Sequence, residues 1–209
     1  MIASILTLKR SDFKALKLYD AYSIHRVIYS LFPKQEKGRD FLFADKGGDF
    51  MKRQILIISN RKPETPAYGH IESKNIPNSF LECDDYGFEI KLNPVKREKQ
   101  SGKLVPIGDG RSGMEKKQIL LDWFNSKSKN WGFIADHNSL FIRDTDVQTF
   151  AKENYKITQN AVTFTGKFKV TNRNLFIKSF EEGIGRGKAF GFGLLQIVPL
   201  KEDKTNLKL

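Results

Sequence analysis

The chain has 209 residues and carries 36 Lys and Arg against 24 Asp and Glu, a net charge of +12 that favours polyanions such as RNA or DNA. Hydrophobic residues make up 39% of it, with 17 phenylalanines, which suits one large domain or two small ones with real cores. A single cysteine, Cys83, excludes an internal disulfide and fits the cytoplasm, and no apolar run approaches the roughly 18 residues of a spanning helix, so no membrane role is expected.

The first residues, MIASILTLKR, alternate in a way that predicts a strand and lack the order of a signal peptide. Asp20 is placed to cap a helix over AYSIHRVIYSLF, and Pro33 ends it. RDFLFAD and RQILIIS read as two short strands split by the turn signal KGGD. Strand, helix, strand, strand is the first part of a ferredoxin-like unit. The polar stretch ESKNIPNSFLECDDYG then breaks the pattern and reads as a link between two halves.

In the second half, FEIKLNPVKRE predicts a strand ending in a basic cluster, and SGKLVPIGDGRSG a glycine- and proline-rich loop. MEKKQILLDWFNSKSKNWG has Ile119, Leu120, Trp123 and Phe124 at helical spacing. AVTFTGKFKV (strand), NRNLFIKSFEEG (helix) and GLLQIVPL (strand) follow. The expected fold is α+β, two ferredoxin-like, RRM-like domains in tandem, at residues 1–86 and 87–209.

Five glycines fall between Gly183 and Gly193, with Arg186 and Lys188 among them. A dinucleotide site needs strand, glycine loop and helix in that order. Here the helix comes before the loop and a strand after it. A P-loop fails as well, because Ala189 follows Gly187-Lys188 where Ser or Thr belongs. KAFGFGLL partly matches the aromatic strand of an RNA-recognition motif at Lys188, Phe190, Gly191 and Phe192, but as a last strand and not a middle one. Gly183 alone is explained as a helix C-cap. The remaining density of glycines suits close approach of a polyanion backbone, with Gly183, Gly185, Gly187, Arg186 and Lys188 as candidate contacts.

On the first helix, Ile24, Val27, Ile28 and Leu31 form the inner stripe, and Tyr22, His25 and Tyr29 share one flank beside Arg26. One reading is a surface histidine among ordinary amphipathic tyrosines. The other is a ribonuclease without a metal or other cofactor. RNA supplies its own nucleophile in the 2′-hydroxyl, so the protein needs a proton carrier near neutral pH and positive charge for the phosphate. The three histidines, His25, His70 and His137, have no metal-ligand spacing.

Three segments, YSIHRVIYSLFP with GRDFLF, KLNPVKR, and GIGRGKAFGFGLLQIVPL, together resemble the CasE family, the endoribonuclease subunit of the type I-E CRISPR Cascade complex. They keep the family's order and span essentially the whole chain. Two positions depart from the family's pattern: Gly187 stands where alanine is frequent, and Phe192 where cysteine or another small residue is. The resemblance implies tandem ferredoxin-like domains and metal-independent cleavage of CRISPR precursor RNA on the 3′ side of a stem-loop. It implies as partners the mature crRNA hairpin and the other Cascade subunits. Carried over by motif, His25 is the general acid/base, Tyr22 its partner, and Lys96 of Asn-Pro-x-Lys lies near RNA. Arg26, Arg39, Arg97 and Arg111 are further RNA-binding candidates from charge and position. A non-catalytic RNA-binding module and a Cascade assembly subunit are the alternatives.

Overall fold

The chain folds into a four-stranded and a five-stranded antiparallel sheet with helices set against them, and a two-stranded ribbon, an α+β architecture. The computed structural model describes residues 1–33, 38–49, 51–152 and 155–200. Among these, no helix is long and apolar enough to cross a membrane.

The first sheet is built from β1 (Ile2–Lys9), β2 (Phe41–Gly48), β3 (Lys52–Ser59) and β4 (His70–Asn75), with α1 (Arg10–Leu16) and α2 (Ala21–Ser30) between β1 and β2. Its order is β2-β3-β1-β4, and every neighbouring pair is antiparallel. The expected cap starts α2. The Asp20 carboxylate accepts from the Ser23 backbone N–H at 2.8 Å, and the Ser23 hydroxyl accepts from the Asp20 N–H at 3.0 Å. The stripe Ile24, Val27, Ile28 and Leu31 is buried against Leu6, Leu8, Ile55 and Ile57 of the sheet. Each such side chain stabilises the packing by about 1.5–3 kcal/mol.

The second sheet contains β5 (Asp85–Leu92), β8 (Phe133–Ala135), β9 (Phe141–Lys152), β10 (Tyr155–Val170) and β11 (Gln196–Pro199). Its order is β11-β5-β10-β8, with β9 paired to β10. Helices α3 (Gly113–Ser128) and α4 (Arg173–Glu182) cover one face. There the alternate residues Tyr86, Phe88, Ile90 and Leu92 of β5 meet Phe124, Phe176 and Phe180. The core continues into the first sheet through Leu42, Ala44 and Ile58. Strand β3 is therefore buried on both faces, with Ile55 and Ile57 toward α2 and Ile58 toward the second sheet.

The join between the sheets is pinned. Arg173, at the start of α4, donates to the carbonyls of Leu81 (2.7 Å) and Cys83 (2.5 Å) and pairs with Asp84. The Tyr86 hydroxyl donates to the Phe80 carbonyl at 2.8 Å, and burial pushes this phenol up to about 12.

The structure departs from the sequence reading in several places. The polar link begins inside strand β4, whose alternate residues His70, Glu72 and Lys74 are exposed because it is an edge strand. Part of the expected loop is strand β7 (Leu104–Pro106), which pairs with β6 (Val95–Arg97) from the basic end of the expected strand to form a ribbon. Helix α1 and strand β9 had no expected counterpart, since neither has a clean apolar period.

Candidate functional site

Helix α2 turns its Tyr22–His25–Tyr29 flank toward the segment that follows α4. All three side chains are half-buried. The His25 Nδ1 lies 2.8 Å from the carbonyl oxygen of Ala189. The Tyr29 ring sits 4.0 Å from the imidazole and the Tyr22 ring stacks on it at 5.6 Å, so Tyr29 is the nearer tyrosine. Phe190 comes within 5.4 Å from the second sheet's side and itself packs on Phe150 at 4.4 Å. The exposed Arg26 places its guanidinium 6.0 Å over the Tyr22 ring.

The glycine segment creates the acceptor. Gly187 (φ 84°) and Gly191 (φ 83°) bracket a single 3-10 turn, Lys188–Phe190, closed by the Phe190 N–H donating to the Gly187 carbonyl at 2.8 Å. Positive φ at both ends lets the chain enter and leave the turn sharply, with the Ala189 carbonyl at the histidine. At Gly193 the backbone is closer still. The Ile184 N–H donates to its carbonyl at 2.8 Å, and a Cβ there would lie 2.3 Å from the Ile184 oxygen. A Cβ on Gly183 would meet Leu42, and one on Gly191 would meet Phe43 at 3.1 Å. Much of the close approach these glycines permit is thus taken up by the protein's own β2. Gly185 differs, being exposed with Leu92 the nearest atom at 3.7 Å.

The sequence-derived basic residues fall into separate places. Lys188, in the 3-10 turn, donates through Nζ to the Glu182 carbonyl at the C-terminus of α4, at 2.7 Å. Burial, and then the charge of Arg39, hold its ammonium below the usual lysine value, against the opposing pull of Glu182. Lys96 and Arg97 are exposed on the β6–β7 ribbon, where Arg97 donates to the Gly102 carbonyl at 2.5 Å. Arg111 pairs with Glu115 at 3.1 Å, and Arg186 is exposed.

A half-buried ionic group beside the site carried no sequence signal. Burial raises the Asp45 carboxyl, but the Arg53 hydrogen bond and charge, the Gly47 N–H and the charge of Lys91 outweigh it, leaving it below its usual value. Asp45, Arg53 and Lys91 line a cavity of about 320 Å³ with Phe150 and Phe190. Asp45 and Arg53 face each other across neighbouring strands β2 and β3, whereas Lys91, Phe150 and Phe190 come from the second half of the chain, so only the topology unites them with that pair. Among the described residues, no three His, Cys, Asp or Glu side chains stand together as ligands for one ion.

With Nδ1–H donated to a carbonyl, neutral imidazole carries its lone pair on Nε2. The arrangement can therefore take up and release a proton at a fixed position. The profile of a family described as CRISPR-associated protein matches residues 1–199. The chain is 25% identical over 188 residues to the CRISPR system Cascade subunit CasE of Escherichia coli K12, covering 87% of this chain and 93% of that one. It is 28% identical over 122 residues to the CRISPR-associated endoribonuclease Cse3 of Thermus thermophilus, 54% of each chain. A structure of CRISPR endoribonuclease Cse3 bound to a 19-nucleotide RNA superposes with a TM-score of 0.79 at 21% identity, over 95% of this chain and 100% of the other, a likeness of fold.

Proposed function

The chain belongs to the CasE family of CRISPR-associated proteins, and from that premise we propose that it is a metal-independent endoribonuclease that cuts CRISPR repeat RNA on the 3′ side of a stem-loop. It then keeps the hairpin of the mature RNA as a subunit of Cascade. The names of its relatives, a Cascade subunit and an RNA-bound endoribonuclease, support the substrate and the partners. The strand orders β2-β3-β1-β4 and β11-β5-β10-β8 support the reading as tandem ferredoxin-like domains, 1–86 and 87–209.

The observation that carries the chemistry is the 2.8 Å contact between His25 Nδ1 and the Ala189 carbonyl. It orients the imidazole and sets the tautomer, so that Nε2 takes the proton from the 2′-hydroxyl. The 2′-oxygen forms a bond to the adjacent phosphorus, the bond from phosphorus to the 5′-oxygen breaks, and the proton is returned to that departing oxygen. The products are a 2′,3′-cyclic phosphate and a 5′-hydroxyl. Tyr22 and Tyr29 flank the ring and fix its plane. Lys96, Arg97, Arg111, Arg26 and Arg186 supply positive charge for the hairpin, with Gly183, Gly185 and Gly187 shaping the loop.

The test is incubation with repeat RNA in EDTA, beside the same RNA carrying a 2′-deoxy nucleotide at the cut. We expect cleavage of the first to a cyclic phosphate, and tight binding without cleavage of the second. If the unmodified RNA is bound but stays whole with EDTA and with added divalent metal alike, the protein is a binding module. Cleavage only with added metal would end the metal-independent mechanism.

A further inference from the structure

Arg39 stands just before β2, ahead of Phe41 and Phe43, which leave that strand on one face. The other two define where that face leads. Phe41 packs edge-on against Tyr29 at 5.0 Å, and Tyr29 in turn lies 4.0 Å from His25. Phe43 lies against Gly191, at the end of the 3-10 turn that holds the histidine's acceptor. Arg39 is thus brought to the rim of the His25 site by the same strand that supports it.

Two features of this rim are unfavourable for the protein alone. The Arg39 Nε is buried and has no hydrogen-bond partner among the described residues. Such an orphaned donor costs free energy, more so when it belongs to a charged group. The second cation, Lys188, adjoins Ala189 in the turn and is drawn back onto the Glu182 carbonyl. Burial and the charge of Arg39 both disfavour its ammonium form. A single anion between them would satisfy the Nε and relieve the repulsion.

We infer that Arg39 and Lys188 form the seat of the scissile phosphodiester, with Arg39 donating to a non-bridging oxygen and Lys188 leaving the Glu182 carbonyl for the same phosphate. This rests on the reading of the site as a ribonuclease and adds to it a specific electrostatic partner. As the 2′-oxygen attacks, negative charge grows on the non-bridging oxygens. A guanidinium already held there stabilises that charge more than it stabilises the ground state. Arg39 is then a catalytic residue, and its loss falls more on the rate than on affinity.

The experiment is single-turnover cleavage of repeat RNA whose scissile linkage carries oxygen, an Rp sulfur or an Sp sulfur, by wild type, Arg39→Ala and Arg39→Lys. Arg39→Ala should slow the oxygen substrate about 100-fold. One of the two sulfur isomers should be cut slowly by wild type yet be no worse than oxygen for Arg39→Ala, since the contact it disturbs is gone. Affinity for the 2′-deoxy RNA and the thermal midpoint should stay near those of wild type. Should Arg39→Ala fold poorly, Arg39→Lys keeps the charge and stem but lacks the Nε, and the same loss of sulfur preference decides. A wild-type rate in either folded variant overturns the inference, as does a reduced rate with the sulfur preference intact. If wild type cuts none of the RNAs, the ribonuclease reading falls and this inference with it.

Discussion

The imidazole of His25 and the main chain of Ala189 meet at 2.8 Å across 164 residues of sequence. One partner comes from a helix packed on the first sheet, and the other from the loop that leads into the last strand of the second. The site is therefore a product of how the two sheets pack, and variants can separate its chemistry from its support.

His25→Ala removes the proposed proton carrier and leaves the sheets in contact through β2 and β3. We expect cleavage of repeat RNA to fall by about 10²–10⁴. Binding of the 2′-deoxy RNA, followed by filter retention, should change little. A parallel loss of affinity would give the histidine a structural role instead.

Gly193→Ala and Gly185→Ala place the same methyl group at almost the same backbone angles, φ 79° and 76°. At Gly193 the new Cβ falls 2.3 Å from the Ile184 oxygen, whereas at Gly185 the nearest atom is 3.7 Å away. We expect a loss of roughly 3 kcal/mol for the first and about 1 kcal/mol for the second. Urea denaturation of the two proteins measures the difference.

Asp45→Asn tests the ionic group under the site. The Asp45 carboxyl is held below its usual 3.8 in the folded protein, so its contribution is complete above 3.8 and disappears as pH falls through the lower folded value. At pH 7 the substitution should cost about 2 kcal/mol. Thermal melts of both proteins should converge on acidification, and a gap that persists at the acid end would show that packing, not charge, is lost.

Arg173→Ala unpins the join by stranding the carbonyls of Leu81 and Cys83. A loss of about 2 kcal/mol is expected. Hydrogen exchange should quicken in the connecting segment, residues 78–84, ahead of the sheet cores.

Lys96→Ala bears on the hairpin contact. If Lys96 meets a phosphate, the slope of log affinity against log salt should shrink by about one unit, with the loss uniform across hairpin sequences. An unchanged slope would take the β6–β7 ribbon out of the interface.

How much of this was legible depends on the range of the interaction involved. The capped helix α2 and its stripe were readable because both are local patterns, and helical spacing alone put His25 beside Tyr22 and Tyr29. Strand β4 was missed because an edge strand can be polar, and β9 because much of it is exposed. The glycine segment was recognised as unusual, but sequence could not tell whether ligand or protein approaches those bare backbones. Phe190 and Phe150, like Lys91 and the Asp45–Arg53 pair, come together only through long-range sheet packing. The Ala189 carbonyl has no signature at all, because every residue owns one.

The acceptor for His25 is main chain, so replacing the Ala189 side chain leaves the bond in place. A side chain at Gly191, which ends the turn at φ 83° against Phe43, would disturb it. Relatives aligned column by column would therefore show freedom at the position that matters and constraint at Gly191. Selection on this bond is displaced by two residues.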